Sequence, residues 1–138
     1  MNLDGKRVVI TGASRGIGAE IAKEFAAAGS QVVLSARTES AISNLANEID
    51  GIAIPFDAND PEDVRTYIGN VEDSVGPIDV LINNAGIEKS TLIEDITEKE
   101  IEETLRINLI TPQVLTADVL PRMLSRGSGH LVYTSSIA

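Results

Sequence analysis

The 138-residue chain is predicted to fold as an α/β domain built on a doubly wound parallel sheet, with about five strands of a larger sheet present. Short β-branched runs alternate with stretches of helical length, and no repeat, low-complexity tract or linker interrupts them. Hydrophobic residues make up 43% of the chain but aromatics only 3%, so the core must be Ala, Val, Ile and Leu, which suits helices laid on a parallel sheet. The first apolar run ends directly in a glycine-rich turn, Thr11-Gly12-Ala13-Ser14-Arg15-Gly16-Ile17-Gly18, and an Ala/Ile-rich stretch follows.

Taken in order, strands are expected at residues 8–10, 31–36, 52–54, 78–82 and 130–134. Helices are expected at 16–28, 40–49, 61–75 and 98–126. Gly29 and Gly127 stand where helix C-caps belong. Asp60-Pro61-Glu62-Asp63 reads as a helix start, with Asp60 the cap, proline at the first position and acids in the first turn. Thr111-Pro112 predicts a break or kink near the middle of the last, long helix. Strands separated by helices imply right-handed crossovers and a single domain over 1–138, covered on both faces of its sheet.

The glycine turn carries the first chemical reading. A strand that ends in a turn of three glycines and opens a helix presents free backbone N–H groups and a positive helix end to one spot, a site for a phosphate. Gly12 allows the tight turn, Gly16 lets the backbone approach a pyrophosphate, and Gly18 lets the helix pack closely on the sheet. The spacing G-x3-G-x-G departs from the G-x-G-x-x-G dinucleotide fingerprint. Net charge is −10, which argues against nucleic acid and anionic membranes as partners. The only local basic excess surrounds the turn, where Lys6, Arg7, Arg15, Lys23 and Arg37 outnumber the acids. In such a sheet ligands bind beyond the carboxyl ends of the strands. Thr11–Gly18, Arg37, Asp57, Asn83–Gly86 and Ser135-Ser136 all follow strands and are expected to converge there.

The chain has no cysteine, so disulfides and thiolate metal sites are excluded, and no metal site is expected. No apolar stretch approaches the roughly 18 residues of a membrane span. The five residues Met1–Gly5 lead straight into a strand without room for a signal peptide, so a cytoplasmic location is expected.

Asn83-Asn84-Ala85-Gly86 after the fourth strand, with the T-G-x3-G-I-G turn after the first, closely resembles the short-chain dehydrogenase/reductase family. Arg106-Ile107-Asn108-Leu109, the stretch from Gly129 to Ser136, and Asp57 after the third strand match it in order and spacing. The resemblance implies a Rossmann-like fold and hydride transfer between a nicotinamide and a carbonyl or alcohol carbon of a small molecule. It also implies a homo-oligomer, a dimer or tetramer. Gly12, Ser14, Arg15, Gly16, Ile17 and Gly18 would cradle the pyrophosphate. Asp57 would bond the adenine edge in preference to the local reading, a cap or turn residue. Asn83 and Ala85 would line the ribose–nicotinamide path, while Asn84 and Gly86 hold the strand's end in shape. Asn108 matches the residue that anchors a proton-relay water, and Ser136, preferred to Ser135, matches the catalytic serine. Its hydroxyl would bond the substrate oxygen as negative charge develops there. Glu88–Asp95 is the candidate entrance, and His130 is a surface residue without a catalytic role.

Cofactor choice follows from the end of the second strand. An NAD site has an acid there for the ribose 2′-hydroxyl, but this chain reads Leu34-Ser35-Ala36-Arg37, with no acid before Glu39. Ala36 leaves room for a 2′-phosphate, Arg37 can grip it bidentately, Arg15 can reach it, and Ser35 adds a hydroxyl. NADP is therefore expected over NAD. The family's general acid is a tyrosine about a dozen residues past the serine, with a lysine four residues further. The chain ends at Ala138, and neither Tyr67 nor Tyr133 is placed to substitute. These residues are expected to be the N-terminal portion of a longer enzyme and inactive alone; a non-catalytic NADP-binding half-domain or a truncated fragment is the other reading.

Overall fold

The structure, a computed structural model, describes residues 2–136; Met1, Ile137 and Ala138 lie outside the described residues. Five strands, β1 (Arg7–Thr11), β2 (Gln31–Ser35), β3 (Ile52–Ala53), β4 (Val80–Asn83) and β5 (His130–Tyr133), form one sheet in the order β3-β2-β1-β4-β5. Every pairing is parallel. The order reverses between β1 and β4, which opens a crevice beyond their carboxyl ends.

The two faces of the sheet follow from strand alternation. Val8, Ile10, Val32 and Leu34 face one side and are covered by α1 (Gly16–Ala27), through Ala22, and α2 (Glu39–Ile49), through Ile42, Leu45 and Ala46. Val9, Val33 and Leu81 face the other side. There α3 (Pro61–Val75) contributes Val64, Tyr67, Ile68 and Val71, and α5 (Thr111–Arg126) contributes Leu115, Val119 and Met123. These spacings of three and four residues are the apolar stripes of two amphipathic helices. The polar sides of α3 and α5 are joined by Glu72, which accepts from Arg122 and Arg126 at 3.2 Å each.

Most element boundaries differ from those predicted by a residue or two, and one helix is divided. The third strand is only Ile52–Ala53, paired with β2 at the sheet's edge. The fourth begins at Val80: Asp79 is occupied at the sheet's rim, accepting from the Arg7 amide at 2.9 Å and the Lys6 ammonium at 3.2 Å. The expected helix at 98–126 is divided into α4 (Glu98–Leu105), a π-helical turn at Arg106–Ile110, and α5. The break thus lies one turn before Pro112. Proline has no N–H for the carbonyl of Asn108 four residues back, and the Thr111 N–H reaches back to Arg106 instead. Gly127, at φ 68°, closes α5 as expected.

Candidate functional site

Beyond the carboxyl ends of β1, β2 and β4 lies a cleft of about 680 Å³. The glycine turn forms its floor. Gly16 has φ +56° and nothing within 4 Å of where a Cβ would sit, so its bare backbone borders open space. Gly12 and Gly18 are small for a different reason. A Cβ on Gly12 would stand 2.7 Å from the Ala85 Cα, and one on Gly18 would stand 2.4 Å from the Gly12 carbonyl oxygen and 2.5 Å from the Asn84 Nδ2. The turn is therefore locked against the Asn-Asn-Ala-Gly segment by contact.

Hydrogen bonds complete that lock. The Thr11 hydroxyl accepts from the amides of Asn84 and Ala85, at 3.1 Å each. The Asn84 side-chain amide donates to the carbonyls of Thr11 and Gly12, at 3.2 Å each. Its oxygen accepts from the Thr134 hydroxyl at 3.0 Å. Three strand ends, those of β1, β4 and β5, are joined by this set of polar contacts.

The helices that open onto the cleft differ from α3 and α4 at their N-termini. The N-caps of α1 and α2 are Arg15 and Thr38, and neither caps its helix with a side chain. Away from the cleft, Asp60 accepts from the Glu62 amide at the start of α3, and Thr97 and Glu100 form a capping box on α4. The two helix ends that face the cleft thus retain backbone donors for a ligand. Arg15 and Arg37 are exposed on the cleft wall, and neither joins an ion pair among the described residues.

Most expected site residues meet here. Gly12, Ser14, Arg15, Gly16, Ile17, Gly18, Arg37, Asp57, Ala85 and Gly86 all line the cleft. Asp57 also forms a local turn, accepting from the Asn59 amide at 2.9 Å. Asn108 does not itself line the cleft. Its side chain is clamped to the backbone of Ile87 by two bonds of 2.8 Å, one donated and one accepted, and Ile87 borders the cleft. Ser136 is exposed two residues past Thr134, which lines the cleft.

Two of the expected site residues, Ser35 and Asn83, are buried and lie off the cleft lining. Ser35 is fully buried, and its hydroxyl is hydrogen-bonded to the Tyr67 hydroxyl within the core. It follows Leu34, which faces α1 and α2, and neighbours on a strand face opposite sides, so it faces α3. Burial also pushes the Tyr67 phenol well above its ordinary range. Asn83 is buried too, with no partner for either side-chain polar atom among the described residues, and it does not line the cleft. The adjacent Asn84, expected only to hold the strand's end, both holds it and borders the cleft. The segment Glu88–Asp95 is not part of the lining; it is tied to α4 by Lys89–Glu103 at 2.9 Å and Thr91–Glu100 at 3.0 Å. That contact with Lys89 holds the Glu103 carboxyl below its usual range.

Thr38, Ala41, Ile107 and Thr134 line the cleft but were not singled out in the sequence. Thr38 carried a signal, being the hydroxyl residue immediately before a helical stretch and beside Arg37. Of the tyrosines, Tyr67 is in the core and the Tyr133 hydroxyl bonds Thr116 at 2.6 Å, so neither borders the cleft. Among the described residues no group of three or more His, Asp or Glu side chains is placed to hold a metal ion, and no helix is long and apolar enough to cross a membrane.

Comparison with known proteins agrees with this arrangement. The short chain dehydrogenase family profile matches residues 6–138. The ketoacyl reductase HetN of a Nostoc species is 40% identical over 141 residues, covering 99% of this chain and 49% of the relative. The 3-oxoacyl-(acyl-carrier-protein) reductase FabG of Vibrio cholerae is 32% identical, covering 99% and 57%. Among solved structures, a short-chain dehydrogenase from Streptomyces avermitilis superposes with a TM-score of 0.91 at 36% identity, covering 99% of this chain and 51% of that one. A metagenomic short-chain oxidoreductase in complex with NADP gives 0.92 at 32% identity, covering 100% and 65%. The chain spans about half the length of the curated relatives it matches. With its glycine turn, its Asn-Asn-Ala-Gly segment and this match over nearly its whole length, the chain belongs to the short chain dehydrogenase family.

Proposed function

We propose that the protein serves an NADP(H)-dependent oxidoreductase that interconverts a small-molecule carbonyl and the corresponding alcohol. The observation that carries this reading is the pairing, on one cleft, of two helix N-termini without side-chain caps with two arginines that join no ion pair among the described residues. A ligand with two separate phosphate groups matches that pattern, and a 2′-phosphorylated dinucleotide has them. The α1 end and the turn from Gly12 to Gly18 would hold the pyrophosphate. Arg37, Thr38 and Arg15 would hold the 2′-phosphate, with Ala36 leaving the space for it. Asp57 would take the adenine edge, and Ala85 and Gly86 the nicotinamide ribose. A metagenomic relative solved with NADP supports the choice.

When bound, the nicotinamide supplies or accepts the hydride. The Ser136 hydroxyl would donate to the substrate oxygen as charge grows on it. The Asn108 side chain is committed to Ile87, so its contribution would fall to its main-chain carbonyl, which Pro112 leaves without an α-helical donor. A water held there could relay the proton. A homo-oligomer in the cytoplasm completes the proposal.

The test is NADPH oxidation by the protein's complete polypeptide with a panel of small aldehydes and ketones. Turnover that is lost in Ser136→Ala supports the reading. Saturable NADPH binding without turnover on any substrate favours a nucleotide-binding module instead. Absence of NADPH binding refutes both.

A further inference from the structure

We propose that Thr134 is a positioning residue for the glycine turn, acting through the side-chain amide of Asn84. The inference rests on the nucleotide-site reading above and deepens it. The Asn84 amide lies between two kinds of partner. On one side are the carbonyls of Thr11 and Gly12, which can only accept, so the Nδ2 must face them. The Oδ1 therefore faces the Thr134 hydroxyl and accepts its proton at 3.0 Å. The same amide fills the space that the missing Cβ of Gly18 leaves, 2.5 Å from where that atom would be. Asn84 is thus a wedge behind the turn, in contact with its first and last glycines, and Thr134 holds the wedge's outer end.

Thr134 is fixed in its own right. Its amide donates to the Asn83 carbonyl at 3.0 Å, continuing the β4–β5 ladder one residue past β5. A hydroxyl on that rigid extension sets the rotation of the Asn84 amide. Without it, the Oδ1 loses its one hydrogen-bond donor among the described residues and the amide gains rotational freedom. The carbonyls of Thr11 and Gly12 are then less firmly held, and so are the backbone donors of the turn between Gly12 and Gly18. The consequence for a phosphate is a less preorganised cradle.

The experiment compares Thr134→Val, a near-isostere without the hydroxyl, with Thr134→Ser, which restores it. NADPH binding is followed by nucleotide fluorescence in the complete polypeptide, and amide hydrogen exchange is followed without nucleotide. Loss of one exposed hydrogen bond that fixes the turn predicts NADPH affinity roughly threefold weaker in Thr134→Val. Exchange should be several-fold faster at residues 13–18 and unchanged in α3. Thr134→Ser should restore both values to about those of the parent. The proposal is overturned if Thr134→Val leaves both affinity and exchange unchanged, or if Thr134→Ser is as impaired as Thr134→Val. If the parent protein itself binds no NADPH, the functional reading falls, and the exchange pattern alone decides the role of Thr134.

Discussion

Replacing Gly18 by alanine tests the packing of the glycine turn most sharply. The added Cβ would meet the Gly12 carbonyl oxygen at 2.4 Å, the Asn84 Nδ2 at 2.5 Å and the Ala13 Cα at 3.1 Å. Two of these are backbone atoms, and the third is held by the Thr11 and Gly12 carbonyls and, through its oxygen, by Thr134. No flexible side-chain end can give way. Relieving the overlap costs about 1–3 kcal/mol as overpacking. Displacing the Asn84 amide forfeits two further hydrogen bonds at about 1 kcal/mol each. Alanine's better helix propensity returns about 1 kcal/mol. The net expectation is destabilisation by about 2–4 kcal/mol. Gly69→Ala supplies the contrast within the same fold: it lies inside α3, and the nearest atom to its Cβ, the Arg122 Nη2, is 3.9 Å away. That change should stabilise by up to about 1 kcal/mol. Equilibrium urea unfolding at constant m-value reads both. A Gly18→Ala protein as stable as its parent, or a destabilised Gly69→Ala, would refute the reasoning.

Other perturbations test separate parts of the account. Arg37→Ala should weaken NADPH roughly 10- to 100-fold while leaving NADH within about twofold, because only a charge-assisted contact to the 2′-phosphate is removed; competitive titration of the two nucleotides measures it. Burial opposes ionisation of Asp79, but the Arg7 amide and the Lys6 ammonium outweigh it and hold the carboxyl below its usual 3.8. A depressed folded-state value means that its stabilisation is complete above about pH 4 and fades as pH falls through the folded value. Asp79→Asn should lower stability by about 1–3 kcal/mol at neutral pH and flatten that acid limb, as seen by denaturant titrations across the range. Asp60→Ala removes the side-chain cap of α3 and should cost about 0.5–2 kcal/mol by the same unfolding assay.

Much of the fold was readable from local pattern. The strands that carry the two cores, such as Val8-Val9-Ile10, are continuous apolar runs, and the start of α3 at Asp60-Pro61 was written in capping chemistry. What local pattern could not supply was facing. Ser35 and Asn83 stand at strand ends beside cleft residues, but both side chains are buried, and only the register of the sheet decides which neighbour turns outward. The π-helical turn was half legible: Pro112 announced a break, yet where the extra residue is absorbed depends on how Ile107 is buried and how Asn108 grips Ile87, 21 residues away in sequence. Thr134 was invisible as a site residue because its partner, Asn84, is brought to it only by the pairing of β4 with β5. The cleft's uncapped helix ends belong to the same class. Arg15 and Thr38 can be seen in the sequence, but whether a side chain turns back to cap its helix is settled in three dimensions.

The central claim is that this cleft receives a dinucleotide bearing a 2′-phosphate. Calorimetric titration of the protein with NADP+ and, separately, with NAD+ tests it most directly. The account predicts saturable one-to-one binding of both, with NADP+ at least about tenfold tighter, as a charge-assisted contact implies. Equal or tighter binding of NAD+ would contradict the assignment of Arg37 and the α2 terminus, and binding of neither would contradict the cleft's assignment altogether.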